Sequence, residues 1–72
     1  MKCVLKVESN DKIKVLDSAL CSIEQKQRGN YIYLWYDTMS IAKEDQRSLS
    51  DAGLKSEILK GWEVDGFVSI YK

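Results

Sequence analysis

The segment NYIYLWYD, residues 30–37, decides the fold because it holds four of the seven aromatic residues in this 72-residue chain. Its strict alternation predicts a β-strand, in which successive side chains point to opposite faces of the sheet. One face carries three rings and the other carries two aliphatic residues and a tyrosine: Tyr31, Tyr33 and Trp35 against Ile32, Leu34 and Tyr36. The two faces need different explanations, because a chain this short can rarely bury both sides of a sheet.

Length, charge and cysteine content bound the class of protein. The chain predicts a single domain spanning residues 1–72, with one small core. Eleven basic residues balance eleven acidic ones, so the charge gives no simple argument for binding to nucleic acid or a membrane surface. No apolar run approaches the roughly 20 residues needed to span a bilayer, and the N-terminus does not resemble a signal peptide. We therefore predict a cytoplasmic protein in which Cys3 and Cys21 remain reduced.

Two further strands are predicted at the ends of the chain. Residues 2–8 alternate, with Cys3, Leu5 and Val7 on the inward face and mostly charged residues on the other. Residues 62–72 predict a closing strand, in which the dipeptide Asp65-Gly66 favours a tight hairpin or a bulge.

Residues 9–29 fit two interpretations. As a helix, the segment has an apolar stripe, N-cap candidates at Ser9 and Asn10, and a C-terminal glycine at Gly29. As strands, it makes two hairpins, the second of which turns at QRGN, residues 27–30. We favour the helix and keep the hairpins as the alternative.

Residues 38–62 are predicted to be mostly helical. Two apolar stripes do not line up, and Gly53 is a poor residue for a helix interior. A loop or short helix followed by a firm helix over residues 50–60, starting from Ser50, fits this pattern best. At the start of this segment, Asp37 is a candidate N-cap.

These elements predict an α+β fold. The main version is a small two-layer sandwich in the order β-α-β-α-β, with a three-stranded sheet and two helices on one face. The alternative is an antiparallel meander of four strands, with one helix and a C-terminal strand. In the main version Ile32 and Leu34 face the helices, and the opposite face is aromatic with a basic edge.

That aromatic face is the predicted partner-binding site. Soluble monomers seldom leave a large apolar patch exposed, and Tyr and Trp are enriched where partners dock. The predicted contact residues are Tyr31, Tyr33, Trp35, Phe67 and Tyr71, with Lys2 and Lys6 as a polar rim. The alternative is that residues 38–49 or the second helix cover this face, so that it forms a second small core.

The sequence does not indicate an enzyme. It contains no histidine, and its four glycines form no phosphate-binding pattern. We predict no catalytic residues, no metal site and no cofactor. Two isolated cysteines do not make a metal site.

The favoured function is therefore a small intracellular protein-binding module: a regulator, adaptor or inhibitor of a larger partner, possibly as a homodimer. The alternative is single-stranded nucleic-acid binding through the same aromatic and lysine face, which resembles stacking platforms in physical kind only. No membrane partner is predicted.

Overall fold

The computed structural model describes residues 3–60, 63–64 and 67–68, with side chains described for residues 3–59. The elements in chain order are β1 (Cys3–Glu8), α1 (Lys12–Ser18), β2 (Glu24–Arg28), β3 (Tyr31–Tyr36), α2 (Met39–Asp51), β4 (Ser56–Lys60), β5 (Glu63–Val64) and β6 (Phe67–Val68).

The first four strands form one antiparallel sheet in the spatial order β2-β3-β1-β4. Strand β3 lies between β1 and β2, and β1 lies between β3 and β4, so each helical connection skips one strand. This is the split β-α-β topology. Strands β5 and β6 pair with each other as a separate two-stranded sheet. The small α+β fold is confirmed.

The number of strands corrects the main prediction. The principal sheet has four strands rather than three, which matches the antiparallel four-stranded sheet of the alternative prediction, although its strands are not in meander order. The additional strands are β2 and β4, both at the sheet edges. Edge strands are hard to recognise because one side of each is solvated, so β2 (EQKQR) shows no apolar alternation at all.

Residues 9–29 combine parts of both interpretations. Helix α1 ends at Ser18, and its N-cap is Asp11, whose side chain accepts a hydrogen bond from the backbone N–H of Lys14 at 3.1 Å. Strand β2 then turns into β3 through Gly29, which has φ 61°. A positive φ favours glycine, and it suits a tight hairpin turn. The hairpin at residues 27–30, which the alternative interpretation gave, is therefore confirmed. The favoured helix is wrong beyond Ser18, and neither Ser9 nor Asn10 is its N-cap.

The helix predicted over residues 50–60 is wrong. Helix α2 spans Met39–Asp51 and is capped by Thr38, not Asp37. Gly53, at φ 81°, ends it: the N–H of Gly53 donates to the carbonyl of Ser50, and the N–H of Leu54 donates to that of Leu49. These two bonds form a Schellman motif, which stops the helix before β4 begins.

The main core lies between the sheet and the two helices. Its buried members come from β1, β3 and both helices: Cys3, Leu5, Val7, Val15, Ala19, Ile32, Leu34, Tyr36, Ala42 and Leu49. The prediction that Ile32 and Leu34 face the helices is confirmed. Two residues of the apolar stripe predicted for residues 9–29 are exposed instead: Leu20, beyond the end of α1, is 79% exposed, and Ile13, inside α1, is 76% exposed.

The predicted closing strand over residues 62–72 is a hairpin in its described part. Glu63 pairs with Val68 and Val64 pairs with Phe67 in an antiparallel register, and the turn predicted at residues 65–66 lies outside the described residues. Lys2 and Tyr71 also lie outside the described residues.

Candidate functional site

The strand register arranges side chains in rows across the sheet face that is opposite the helices, which we call the outer face. The row near the C-terminal end of β3 contains Glu24, Trp35, Val4 and Leu59, the middle row contains Lys26, Tyr33, Lys6 and Glu57, and the third row contains Arg28, Tyr31 and Glu8. The first row is largely apolar and the other two are mostly charged. The outer face therefore has an apolar end and a polar end, and the ring of Tyr33, from the middle row, packs with the apolar end.

The apolar end is closed. Trp35 is fully buried and Tyr33 is 3% exposed, with ring centroids 6.3 Å apart. Val4 is buried with them, and Ile23 and Leu59 pack against the group. The expectation that Tyr33 and Trp35 are exposed is therefore corrected: the two rings pack against each other and with Val4, so they form a second small core. This core forms without residues 38–49, which belong to the opposite side of the sheet.

The polar end is open, and Tyr31 is its central aromatic residue. Tyr31 is 39% exposed, and the Lys6 ammonium lies 4.5 Å from its ring centroid and 5.8 Å from that of Tyr33. These distances fall within the range of cation–π attraction. Lys6 and Tyr31 are the two predicted site residues that the described structure brings together at an exposed position.

Charge at the polar end is predominantly positive. Among the described residues here, four cations face two carboxylates: Lys6, Lys26, Arg28 and Lys55 against Glu8 and Glu57. Lys26 reaches toward the closed end, with its ammonium 5.9 Å from the Trp35 ring centroid. Among the residues whose side chains are described, positive charge therefore exceeds negative charge around Tyr31.

Two shallow depressions flank Tyr31 and share Lys6. One runs toward the β2–β3 turn and is lined by Arg28, Gly29 and Asn30, and the other runs toward β4 and is lined by Glu8, Lys55, Ser56 and Glu57. We refer to Tyr31 with these surroundings as the Tyr31 surface. An aromatic ring between two concave, charged surfaces can hold an extended partner segment.

The remaining predicted site residues are not brought to this surface by the described structure. Phe67 is described by its backbone as the first residue of β6, and Lys2 and Tyr71 lie outside the described residues. Arg28 and Lys55 were missed by the sequence prediction. The alternative interpretation, with a hairpin at residues 27–30, could have identified Arg28, because a two-residue turn places Arg28 opposite Tyr31.

A second polar cluster lies on the helix side of the sheet. Asp45 is 5% exposed, and its Oδ2 accepts hydrogen bonds from the Tyr36 hydroxyl at 2.6 Å and from the Cys21 backbone N–H at 3.1 Å. Burial raises the pKa of the Tyr36 hydroxyl, and the bond to Asp45 raises it further. These hydrogen bonds connect α2, β3 and the loop before β2, so the cluster stabilises the packing of these three segments.

The thiols show no sign of activation. The negative charge of Asp45 raises the pKa of the exposed Cys21 thiol, and burial raises that of Cys3. Reactive cysteines instead have a lowered pKa, because the thiolate is the nucleophile. In the described part of the chain, no group of three or more potential metal ligands comes together.

Comparison with known proteins returned no similarity: no family model matches the sequence, and neither a curated protein nor a solved structure was found to match it. Helices α1 and α2 are both too short and too polar to cross a membrane. The geometry of the Tyr31 surface is therefore the basis for the function proposed below.

Proposed function

We propose that this chain is a small intracellular protein-binding module that recognises an acidic segment of a larger partner through the Tyr31 surface. It would act as a regulator, adaptor or inhibitor. One observation carries the proposal: Tyr31 is 39% exposed and lies among cations in a chain whose net charge is zero. The two free cysteines suit a reducing compartment.

The chemistry of Tyr31 supports an anchor role. Tyrosine offers a large, rigid contact area with a polar hydroxyl, and aromatic residues together with arginine dominate the binding energy of many interfaces. Arg28 faces Tyr31 across β2 and β3. Its guanidinium can bind a carboxylate with two parallel hydrogen bonds, which a lysine cannot do. An acidic partner segment would therefore be oriented by Arg28 and held by Tyr31.

A second candidate function is single-stranded nucleic-acid binding at the same surface. It is favoured by one specific feature: an exposed tyrosine on a central strand, on the face opposite the helices, with cations around it. Proteins that bind single strands on a sheet use such rings for base stacking. We place this function second because two of the three rings of β3 on this face are buried, and phosphate binding normally requires a stronger positive field.

Site-specific photo-cross-linking tests the proposal. Benzoylphenylalanine placed at position 31 should give a discrete protein adduct in cells, and the Arg28→Glu variant should lose that adduct. The same photoreactive residue at Lys14, which is exposed on α1, is the matched control and should not give it. Equal adducts at both positions, or none at position 31, would contradict the proposal.

Two further measurements separate the alternatives. Fluorescence anisotropy with labelled oligothymidine at low and high salt should detect no binding; salt-sensitive binding that Arg28→Glu weakens would favour the nucleic-acid function instead. Light scattering at two protein concentrations tests the homodimer. A mass that doubles with concentration, and returns to the monomer value in Tyr31→Ala, would identify the partner as a second copy of the chain.

A further inference from the structure

A second concave surface lies on the other side of the sheet edge, between α2 and β4. One wall of this surface is formed by a face of α2, with Lys43, Gln46, Arg47, Ser50 and Asp51. The other wall is formed by the segment between α2 and β4 and the first residue of β4, with Leu54, Lys55 and Ser56. The five α2 residues are three or four positions apart or adjacent to such a position, so they lie on one face of the helix. We call this surface the α2–β4 groove. It meets the Tyr31 surface only at Lys55 and Ser56, which line both.

The groove borders, at Ser56, the edge of β4 that faces away from β1. Strand β4 is the last strand of the four-stranded sheet, and among the described residues it pairs only with β1. The backbone N–H of Glu8 donates to the carbonyl of Lys55 at 2.9 Å, so residues 55, 57 and 59 direct their backbone groups toward β1. Ser56 and Ile58 therefore direct their backbone groups away from β1, and Ser56 does so where it lines the groove.

A hydrogen bond within the groove supports this direction. The side-chain amide of Gln46 donates to the carbonyl of Ser56 at 3.3 Å. The outward carbonyl of Ser56, the first residue of β4, thus already accepts a hydrogen bond from a side chain of α2. An added strand would form the same kind of bond with Ile58. Beyond that point the outward N–H and carbonyl of Ile58 continue the same edge. Strand addition to such an edge beside a helix is a recurring mode of peptide recognition.

The charge of the groove indicates the chemistry of its occupant. Three cations line it, Lys43, Arg47 and Lys55, against one carboxylate, Asp51. A second copy of β4, with the sequence SEILK, carries one acid and one base and does not complement this charge. An extended segment rich in carboxylates does complement it.

We infer that the α2–β4 groove binds an acidic peptide segment as an additional antiparallel strand on the edge of β4 that faces away from β1. Carboxylates of the segment that share the helix side of the sheet contact Lys43 and Arg47. Residues of the segment that pair with Ser56 and Ile58 have side chains on that same side, because paired residues share a face. This inference goes beyond the proposed function and does not depend on Tyr31.

The pairing geometry makes a specific prediction about the peptide backbone. In a capped synthetic peptide of alternating glutamate and valine, the glutamates must lie on the helix side to reach the cations. Those glutamates are then the residues whose backbone groups pair with β4. N-methylation of the glutamates should therefore abolish binding, whereas N-methylation of the valines should leave it within about twofold.

Amide hydrogen exchange, measured residue by residue on the isotopically labelled protein, shows directly which backbone N–H groups the peptide protects. Binding of the unmodified peptide should slow exchange at Ser56 and Ile58 by about tenfold or more at saturation, while Glu57 and Leu59, already bonded to β1, should change little. The Arg47→Glu variant should weaken the peptide by about three- to tenfold. The matched charge change Lys14→Glu on α1 should not weaken it.

Two results would overturn the inference. The first is the absence of peptide binding at millimolar concentration. The second is binding that is insensitive to N-methylation and gives no protection at Ser56 and Ile58, which would indicate charge attraction alone. The Tyr31→Ala variant should bind the peptide normally, so failure of the Tyr31 surface as a binding site and failure of the groove are distinguishable.

Discussion

The two ends of the outer face have similar residues on β3 and opposite environments. Trp35 at one end is fully buried, whereas Tyr31, four residues earlier on the same face, is 39% exposed. The difference comes from the neighbouring strands. Trp35 lies opposite Val4 and Glu24 and packs with Ile23 and Leu59, while Tyr31 lies opposite Glu8 and Arg28. Tyr33 lies between these two residues, opposite two lysines, and is still buried because its ring packs against Trp35. The comparison teaches that contact with an apolar cluster, and not the strand's own alternation, decides whether an aromatic residue belongs to the core or to a surface.

The largest expected effect comes from Trp35 at the closed end. Trp35→Ala removes a fully buried ring that packs with Val4 and Tyr33, and we expect it to lower the free energy of unfolding by about 3–5 kcal/mol. A domain of this size has little stability in reserve. Urea denaturation followed by far-ultraviolet circular dichroism should therefore show a largely unfolded variant. A loss below about 1 kcal/mol would mean that the two ends do not differ as described.

On the helix side of the same strand end, Tyr36 allows a smaller and more specific test. Tyr36→Phe removes the donor to buried Asp45 and should cost about 1–3 kcal/mol at neutral pH, since Asp45 then keeps only the Cys21 N–H of its two described donors. Asp45→Asn is the companion variant, because it removes the charge and keeps an acceptor for the tyrosine. Equal stability of Tyr36→Phe and wild type would show that this bond contributes nothing net.

The pH dependence of the same pair has a definite sign. The pKa of Tyr36 in the folded state is raised above its ordinary value of 10.0. The contribution of the protonated Tyr36 hydroxyl to the free energy of unfolding is therefore fully present below pH 10.0. It is lost as pH rises beyond 10.0, because the unfolded chain releases this proton first. Wild type should lose more stability than Tyr36→Phe as pH rises beyond 10.0, as measured by urea midpoints at each pH.

The same comparison explains how far the sequence could predict this molecule. Strand β3 and its two faces follow from local alternation, and so do the inward positions of β1. Strand β4 does not, because Ile58 and Leu59 are adjacent and fit a helical stripe as well as a strand. They pack in different clusters, Ile58 with the helices and Leu59 beside Val4 and Trp35. The pairing of β4 with β1 determines that Ile58 and Leu59 lie on opposite faces of the sheet.

The candidate site was predicted in part for the same reason. Lys6 and Tyr31 were identified from the alternation of two strands, and they meet at 4.5 Å. Arg28 requires β2 to be recognised as a strand, and β2 is polar on both faces. Lys55 requires the helix to end at Gly53. Long-range strand pairing brings all four together, and a local pattern carries no information about it.

Gly53 sharpens the comparison, because it precedes Lys55 of the Tyr31 surface by two residues and should affect stability through the backbone alone. Gly53→Ala places a Cβ in open space but forces an L-residue to φ 81°, which should cost about 1–2 kcal/mol. Gly53→Asn should cost less, because asparagine tolerates this conformation better. Thermal melts of both variants test the order. Equal stability of all three proteins would mean that the Schellman motif does not fix the end of α2.

The smallest stability effect is expected at Tyr31 itself. Tyr31→Ala removes a half-exposed ring and its contact with the Lys6 ammonium, which together should contribute about 1 kcal/mol or less. Tyr31→Phe keeps the ring and should match wild type in urea denaturation. A residue that contributes little to folding, while its neighbour Tyr33 on the same face is buried, has its aromatic surface available for another role. Should Tyr31→Ala prove as damaging as Trp35→Ala, the outer face would be one continuous core and Tyr31 would not be a contact residue.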